Sequence, residues 1–121
     1  MGLDIQLVDT TLTVEMNRQA KKKGKKGQSV VSDIVAYLLE DGEVDSALSV
    51  VGRERLPTLA RIDPYADTEF DHYFCELALA ELDRIAGRDL PAATVSFLSE
   101  LSLLIQQALD HPGYIVRFIG D

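Results

Sequence analysis

The sequence predicts an α+β fold: a two-layer α/β sandwich with a small mixed or antiparallel sheet of three or four strands packed against three or four helices. Three observations carry that expectation. Leu3, Ile5 and Leu7 alternate with Asp4, Gln6 and Val8, the period-two pattern of a half-buried strand. At the other end, Tyr114 to Ile119 is dense in β-formers. Between them, several stretches repeat apolar residues every three or four positions, as helices with one buried face do. Strands at both ends with helices between them satisfy their backbones most simply by pairing in one sheet.

Taken in order, Leu12, Val14 and Met16 alternate as Leu3 to Leu7 do, and Asp9-Thr10 can turn the two runs into a hairpin. A continuous, bulged strand is the competing reading. Residues 17–28 contain Gly24, Gly27 and five lysines without apolar periodicity, which predicts a mobile solvated loop. A helix is expected from Gln28 or Ser29 to about Glu40, with Val30, Val31, Ile34, Val35, Leu38 and Leu39 on one face and Asp41-Gly42 as its stop. Asp45 is placed to cap a short helix over Ser46 to Val51, ended by Gly52. Leu59 to Ile62 reads as a strand, cut by Asp63-Pro64 because proline disfavours helical backbone in the residue before it. A long helix follows from Asp67 or Thr68, where Thr68 and Asp71 hold the positions of a capping box, and Gly87 ends it. Pro91 suits the first turn of another helix reaching about Asp110, apolar over most of its circumference and therefore central.

A chain of 121 residues is expected to fold as one domain, 1–121. Its single cysteine, Cys75, excludes an intrachain disulfide and suits a reducing compartment. The first residues lack the basic and apolar regions of a secretion signal, and the apolar run from Val95 to Leu109 is interrupted by Ser96, Ser99, Glu100 and Ser102. The expected location is cytoplasmic, with no membrane partner. The net charge of −8 conceals an asymmetry. Arg18, Lys21, Lys22, Lys23, Lys25 and Lys26 supply six of the twelve basic residues, so the remaining chain sets six against twenty acids. Such a body repels nucleic acid, an unlikely partner, and attracts basic proteins.

The acid-rich segment around Asp63, Asp67, Glu69, Asp71, His72 and Glu76 is the main candidate site. Glu69-x-x-His72 matches half of a di-iron carboxylate motif, but a bundle site needs a second such pair and two further glutamates. The only other histidine, His111, precedes proline beyond the last helix. Read as one helix, Glu69, His72, Glu76 and Asp83 lie opposite Phe74, Ala78 and Leu82, as a solvated face would. A calcium loop fails because Phe70 and His72 stand where its pattern continues differently. No metal or other cofactor is expected. Lys21, Lys22, Lys23, Lys25 and Lys26 give a weak anion-binding candidate, without the Walker order and without aromatics for base stacking. Cys75 and His72 are neighbours on one helix, a poor arrangement for a nucleophile and its base, so Cys75 reads as a small core or boundary residue.

The segment Leu59-Ala-Arg-Ile-Asp63-Pro64-Tyr65-Ala66-Asp67-Thr68, with the tail His111-Pro-Gly-Tyr-Ile-Val-Arg-Phe-Ile-Gly-Asp121, resembles small acidic bacterial proteins of uncharacterised function. Some proteins of this type are regarded as immunity proteins of polymorphic toxin or contact-inhibition systems. The resemblance covers mainly residues 56–121 and implies a non-enzymatic inhibitor that binds a toxin domain. Immunity proteins share no single motif, so it transfers no functional residues.

The expected function is therefore that of an acidic, non-enzymatic binding protein, an immunity or inhibitor protein that neutralises a basic partner such as a toxin nuclease domain. Its contact zone would be Asp63, Tyr65, Asp67, Glu69, Asp71, His72 and Glu76, with Tyr65 as the aromatic anchor. Two alternatives belong to other classes. One is a small hydrolase using Asp63 or Asp67 with His72, which requires a pocket and a perturbed carboxylate. The other is a homo-oligomeric regulatory protein, a homodimer for example, assembled through an exposed edge of Tyr114–Ile119.

Overall fold

The computed structural model describes residues 2–12 and 33–120. Four antiparallel strands, β1 (Leu3–Asp9), β2 (Ile34–Glu40), β3 (Asp67–Phe70) and β4 (Tyr114–Ile119), form one sheet in the order β2-β1-β4-β3. Helices α1 (Glu43–Val51), α2 (His72–Ile85) and α3 (Ala92–Asp110) make the second layer of this small α+β fold. The first and last strands pair along their length, from Asp4 opposite Ile119 to Asp9 opposite Tyr114, as strands at the two ends of the chain were expected to do.

One face of the sheet carries Leu3, Ile5, Leu7, Phe70, Val116 and Phe118 into a core shared with the helices. Phe70 and Phe118 meet edge to face, with ring centroids 4.7 Å apart, and both are fully buried. Helix α3 lies centrally and contributes Phe97, Leu98, Leu101, Leu104, Ile105 and Ala108. Its 19 residues and hydropathy of 1.2 make it long and apolar enough to cross a membrane by length and composition alone. Here those side chains fill the core between the sheet and the other helices.

Four local expectations are corrected. Residues 34–40 form strand β2 rather than a helix. Both of its faces are apolar, so the alternation that marks a strand is hidden in the sequence. Asp9-Thr10 turns no hairpin: residues 10–12 are helical, and the Asp9 carboxylate accepts hydrogen bonds from the Thr11 and Leu12 amides and the Thr11 hydroxyl. Led by the Thr11 hydroxyl, these bonds hold the Asp9 carboxyl below the usual aspartate range. Leu59–Arg61 is a turn of 3-10 helix instead of a strand. Leu59 and Ile62, three residues apart, are thereby both buried. The short helix starts at Glu43, with Gly42 at φ 92° as its cap residue and Glu40 accepting the Val44 amide at 2.8 Å. The lysine segment and most of the second expected strand lie outside the described residues.

Candidate functional site

The acid-rich segment begins where the chain leaves the 3-10 turn. Thr58 is anchored first. Glu81, buried on α2, accepts its amide at 2.9 Å and its hydroxyl at 2.6 Å. A buried carboxylate with both oxygens occupied by one residue fixes that residue's position. The following elbow is held from within. Asp63 donates its amide to the Thr68 hydroxyl at 3.1 Å, and its carboxylate accepts the Tyr65 amide at 2.9 Å. The Gly120 amide bonds to the Ala66 carbonyl at 3.1 Å, tying the elbow to the end of β4. Gly120 has to be glycine here, since a Cβ would stand 2.6 Å from the Pro64 carbonyl oxygen and 2.7 Å from that of Ala66.

The long helix was expected to open at Asp67 or Thr68, but Asp67–Phe70 is a strand on β4, with Asp67 opposite Ile119 and Phe70 opposite Val116. Its burial alternates: Asp67 and Glu69 are exposed, Thr68 is half-buried and Phe70 is buried. Helix α2 starts at His72, and the cap is Asp71, whose carboxylate accepts the Phe74 amide at 3.0 Å. Glu69 therefore does not share a helical face with His72 and Glu76. It sits on β3 directly opposite Arg117 of β4, at 3.4 Å in a solvent-facing ion pair.

All seven residues of the expected contact zone lie along one continuous path of elbow, edge strand and first helical turns. Asp63, Tyr65, Asp67, Glu69, Asp71 and Glu76 are exposed, whereas His72 is half-buried. The Nε2 atom of His72 stands 3.0 Å from the His111 carbonyl and 3.1 Å from that of Tyr114. Carbonyls only accept, so Nε2 carries a proton and donates; His72 bolts α2 to the start of β4. Sequence reasoning missed Tyr73, which is 64% exposed one residue beyond His72, and Arg61, whose guanidinium lies 4.5 Å from the centroid of the Phe74 ring. Tyr73 stands on the first turn of α2, where a helix begun at Asp67 would have given it no special place.

Among the described residues, clefts lie elsewhere. One, of about 280 Å³, opens between the end of α2 and the start of α3 beside Leu82, Arg88 and Val95. Another, of about 190 Å³, lies beside Leu3, Glu40, Val44 and Arg53. None of the seven residues lines either cleft. Among the described residues, no group of three histidine, cysteine, aspartate or glutamate side chains is arranged to hold a metal ion. Cys75 is fully buried, with Sγ 3.6 Å from the Phe70 carbonyl. Burial first, and then the Asp71 charge, push its thiol up to about 12, the opposite of an activated nucleophile. No family model, curated protein or solved structure matches this chain.

Proposed function

We propose that the protein is a non-catalytic binding module that captures a basic protein partner on the surface from Asp63 to Glu76. The observation that carries this reading is the presentation of the acids. Five exposed carboxylates, those of Asp63, Asp67, Glu69, Asp71 and Glu76, project from a backbone held by hydrogen bonds at Thr58, Asp63, Ala66 and the start of α2. A fixed array costs little conformational entropy when a cationic surface meets it. The exposed rings of Tyr65 and Tyr73 add amphipathic contact area of the kind found at interface centres. The partner class implied by the sequence resemblance is a toxin domain, and a nuclease domain would present the cationic phosphate-binding surface that such an array complements. The lone buried thiol is in keeping with action in a reducing, cytoplasmic setting.

Immobilised full-length protein, challenged with cell lysate at low and high salt, should retain a basic protein. Asp63→Lys and Glu69→Lys should each weaken that capture by on the order of tenfold or more without altering the fold. Retention unaffected by both reversals would exclude this surface as the binding site.

A further inference from the structure

The cleft beside Leu3 and Glu40 has a feature that the acidic surface lacks, a buried carboxylate. It lies where β1 begins and β2 ends, against the first turns of α1. Leu3, Val44, Leu48 and Ile62, all buried, give it apolar walls. Glu40 lines it too, and is only 4% exposed. Its Oε2 accepts the Val44 amide at 2.8 Å, while among the described residues nothing donates to Oε1. Capping α1 uses one oxygen, so the other is a buried acceptor without a donor, a costly arrangement for a charged group. Asp45, exposed on the first turn of α1, adds a second carboxylate to the lining. The cation in the lining, Arg53, is engaged elsewhere. Its Nη2 donates to the Ala60 carbonyl at 3.2 Å, and among the described residues it pairs with neither acid.

We propose that this cleft receives a lysine side chain of the basic partner, its ammonium group donating to Oε1 of Glu40 and its methylenes lying against the apolar walls. The assignment rests on the reading of the Asp63–Glu76 surface as the capture site, which it extends. Charge, size and head group select the occupant. The carboxylates of Glu40 and Asp45 outnumber Arg53, so the lining is net acidic. A volume of 190 Å³ is the share of about six liquid waters at roughly 30 Å³ each, room for a butylammonium group, which is the lysine side chain. A guanidinium fork needs both oxygens of a carboxylate, and the Val44 amide already occupies one at Glu40. An ammonium group is a compact charge satisfied by single contacts. Position links the cleft to the acidic surface. Ile62 and Pro64 line it and flank Asp63 in sequence, so a partner lying on the elbow has a recess for an anchoring side chain beside it. Anchors that fill desolvated pockets concentrate the binding energy of an interface.

Butylammonium chloride titrated into the full chain should shift the amide NMR signals of Val44, Asp45 and Leu48, saturating at about millimolar concentration as suits so small a ligand. Propylguanidinium should bind more weakly by about threefold or more, and equal binding of the two would overturn the choice of lysine. Glu40→Gln leaves an oxygen for the Val44 amide and replaces the free acceptor with a donor, so it should weaken butylammonium binding by at least about tenfold. Asp45→Lys, at an exposed position, should do the same, which keeps the test decisive if Glu40→Gln unsettles α1. With a basic protein captured, Glu40→Gln should also weaken its capture by about tenfold. Butylammonium that moves none of these amides, or binds both variants as well as the native chain, would overturn the cleft as a cation site. If butylammonium binds but capture is indifferent to Glu40→Gln, the anchor role falls and the reading of the Asp63–Glu76 surface stands. If the native chain captures no basic protein, that reading fails and the anchor role with it.

Discussion

Among the described residues β3 and β2 are the outer strands of the sheet: β3 spans four residues and turns the carboxylates of Asp67 and Glu69 to solvent, while β2 spans seven and turns out Val35, Tyr37 and Leu39. The strand register joins the two edges. One row across the outer face runs Tyr37, Gln6, Arg117, Glu69, and the next runs Leu39, Asp4, Ile119, Asp67. Each row starts apolar and ends in an acid. Short length and charge keep an edge from pairing with other strands, and β3 has both protections. Strand β2 is longer and uncharged from Ile34 to Leu39, and it carries the extra residue of a bulge, Val35, opposite the step from Leu7 to Val8. The two strands therefore differ in what they turn to solvent: carboxylates at β3, apolar and aromatic side chains at β2.

Anchoring separates them as well, and Phe70→Ala should have the largest effect. Phe70 is fully buried against Phe118 and Phe74, so truncation should cost about 3–5 kcal/mol in denaturant unfolding. Leu38, its counterpart on the inner side of β2, is only half-buried, and Leu38→Ala should cost distinctly less. Equal losses would mean that the two edges are held alike and would remove that part of the contrast. Next comes Gly120→Ala, which pushes a methyl group onto the Pro64 and Ala66 carbonyls. A loss of about 1–3 kcal/mol is expected, together with weaker capture of a basic partner, since the elbow carrying Asp63 and Tyr65 must shift. A further effect appears only at alkaline pH. The Cys75 thiol lies beneath β3 and ionises near 12 in the folded chain, against an ordinary value of 9.0. Between those values the unfolded chain releases the proton and the folded chain keeps it. This contribution to stability is complete below about pH 9 and declines as pH rises towards 12. Comparing alkaline unfolding of the native chain with that of Cys75→Ala should isolate the slope. Equal slopes would show that the thiol is less enclosed than its position under the β3 edge implies.

Much of this was legible in particular residues. The alternation of Leu3, Ile5 and Leu7 marked β1, and the β-formers from Tyr114 to Ile119 marked β4. Pro91 and His111-Pro112 bracketed α3. The run of acids from Asp63 to Glu76 identified a continuous solvent-facing surface before its geometry was known. The misreadings share one cause. Ile34 to Leu39 is apolar on both faces, so helix and strand periods fit it equally well, and Thr68 with Asp71 imitates a capping box although only Asp71 caps. In each case the competing local signals were of similar strength, and pairing with a neighbouring strand chose between them.

The expectation of an exposed edge at Tyr114–Ile119 fails for a related reason. That strand is interior, flanked by β1 and β3, and among the described residues the outer strands are β2 and β3. A strand's place in a sheet depends on which segments pair with it, and no residue within the strand records that. The sequence alone determined the class of fold, the two end strands, the ends of the three helices and the acid-rich path, because propensity, proline, glycine and charge act over a few neighbouring residues. Only the tertiary structure decided that 34–40 is a strand, that Glu69 faces Arg117 instead of sharing a helix with His72, and that apolar and acidic edges lie on opposite sides of one sheet. Those outcomes rest on hydrogen bonds and packing between residues far apart in the chain.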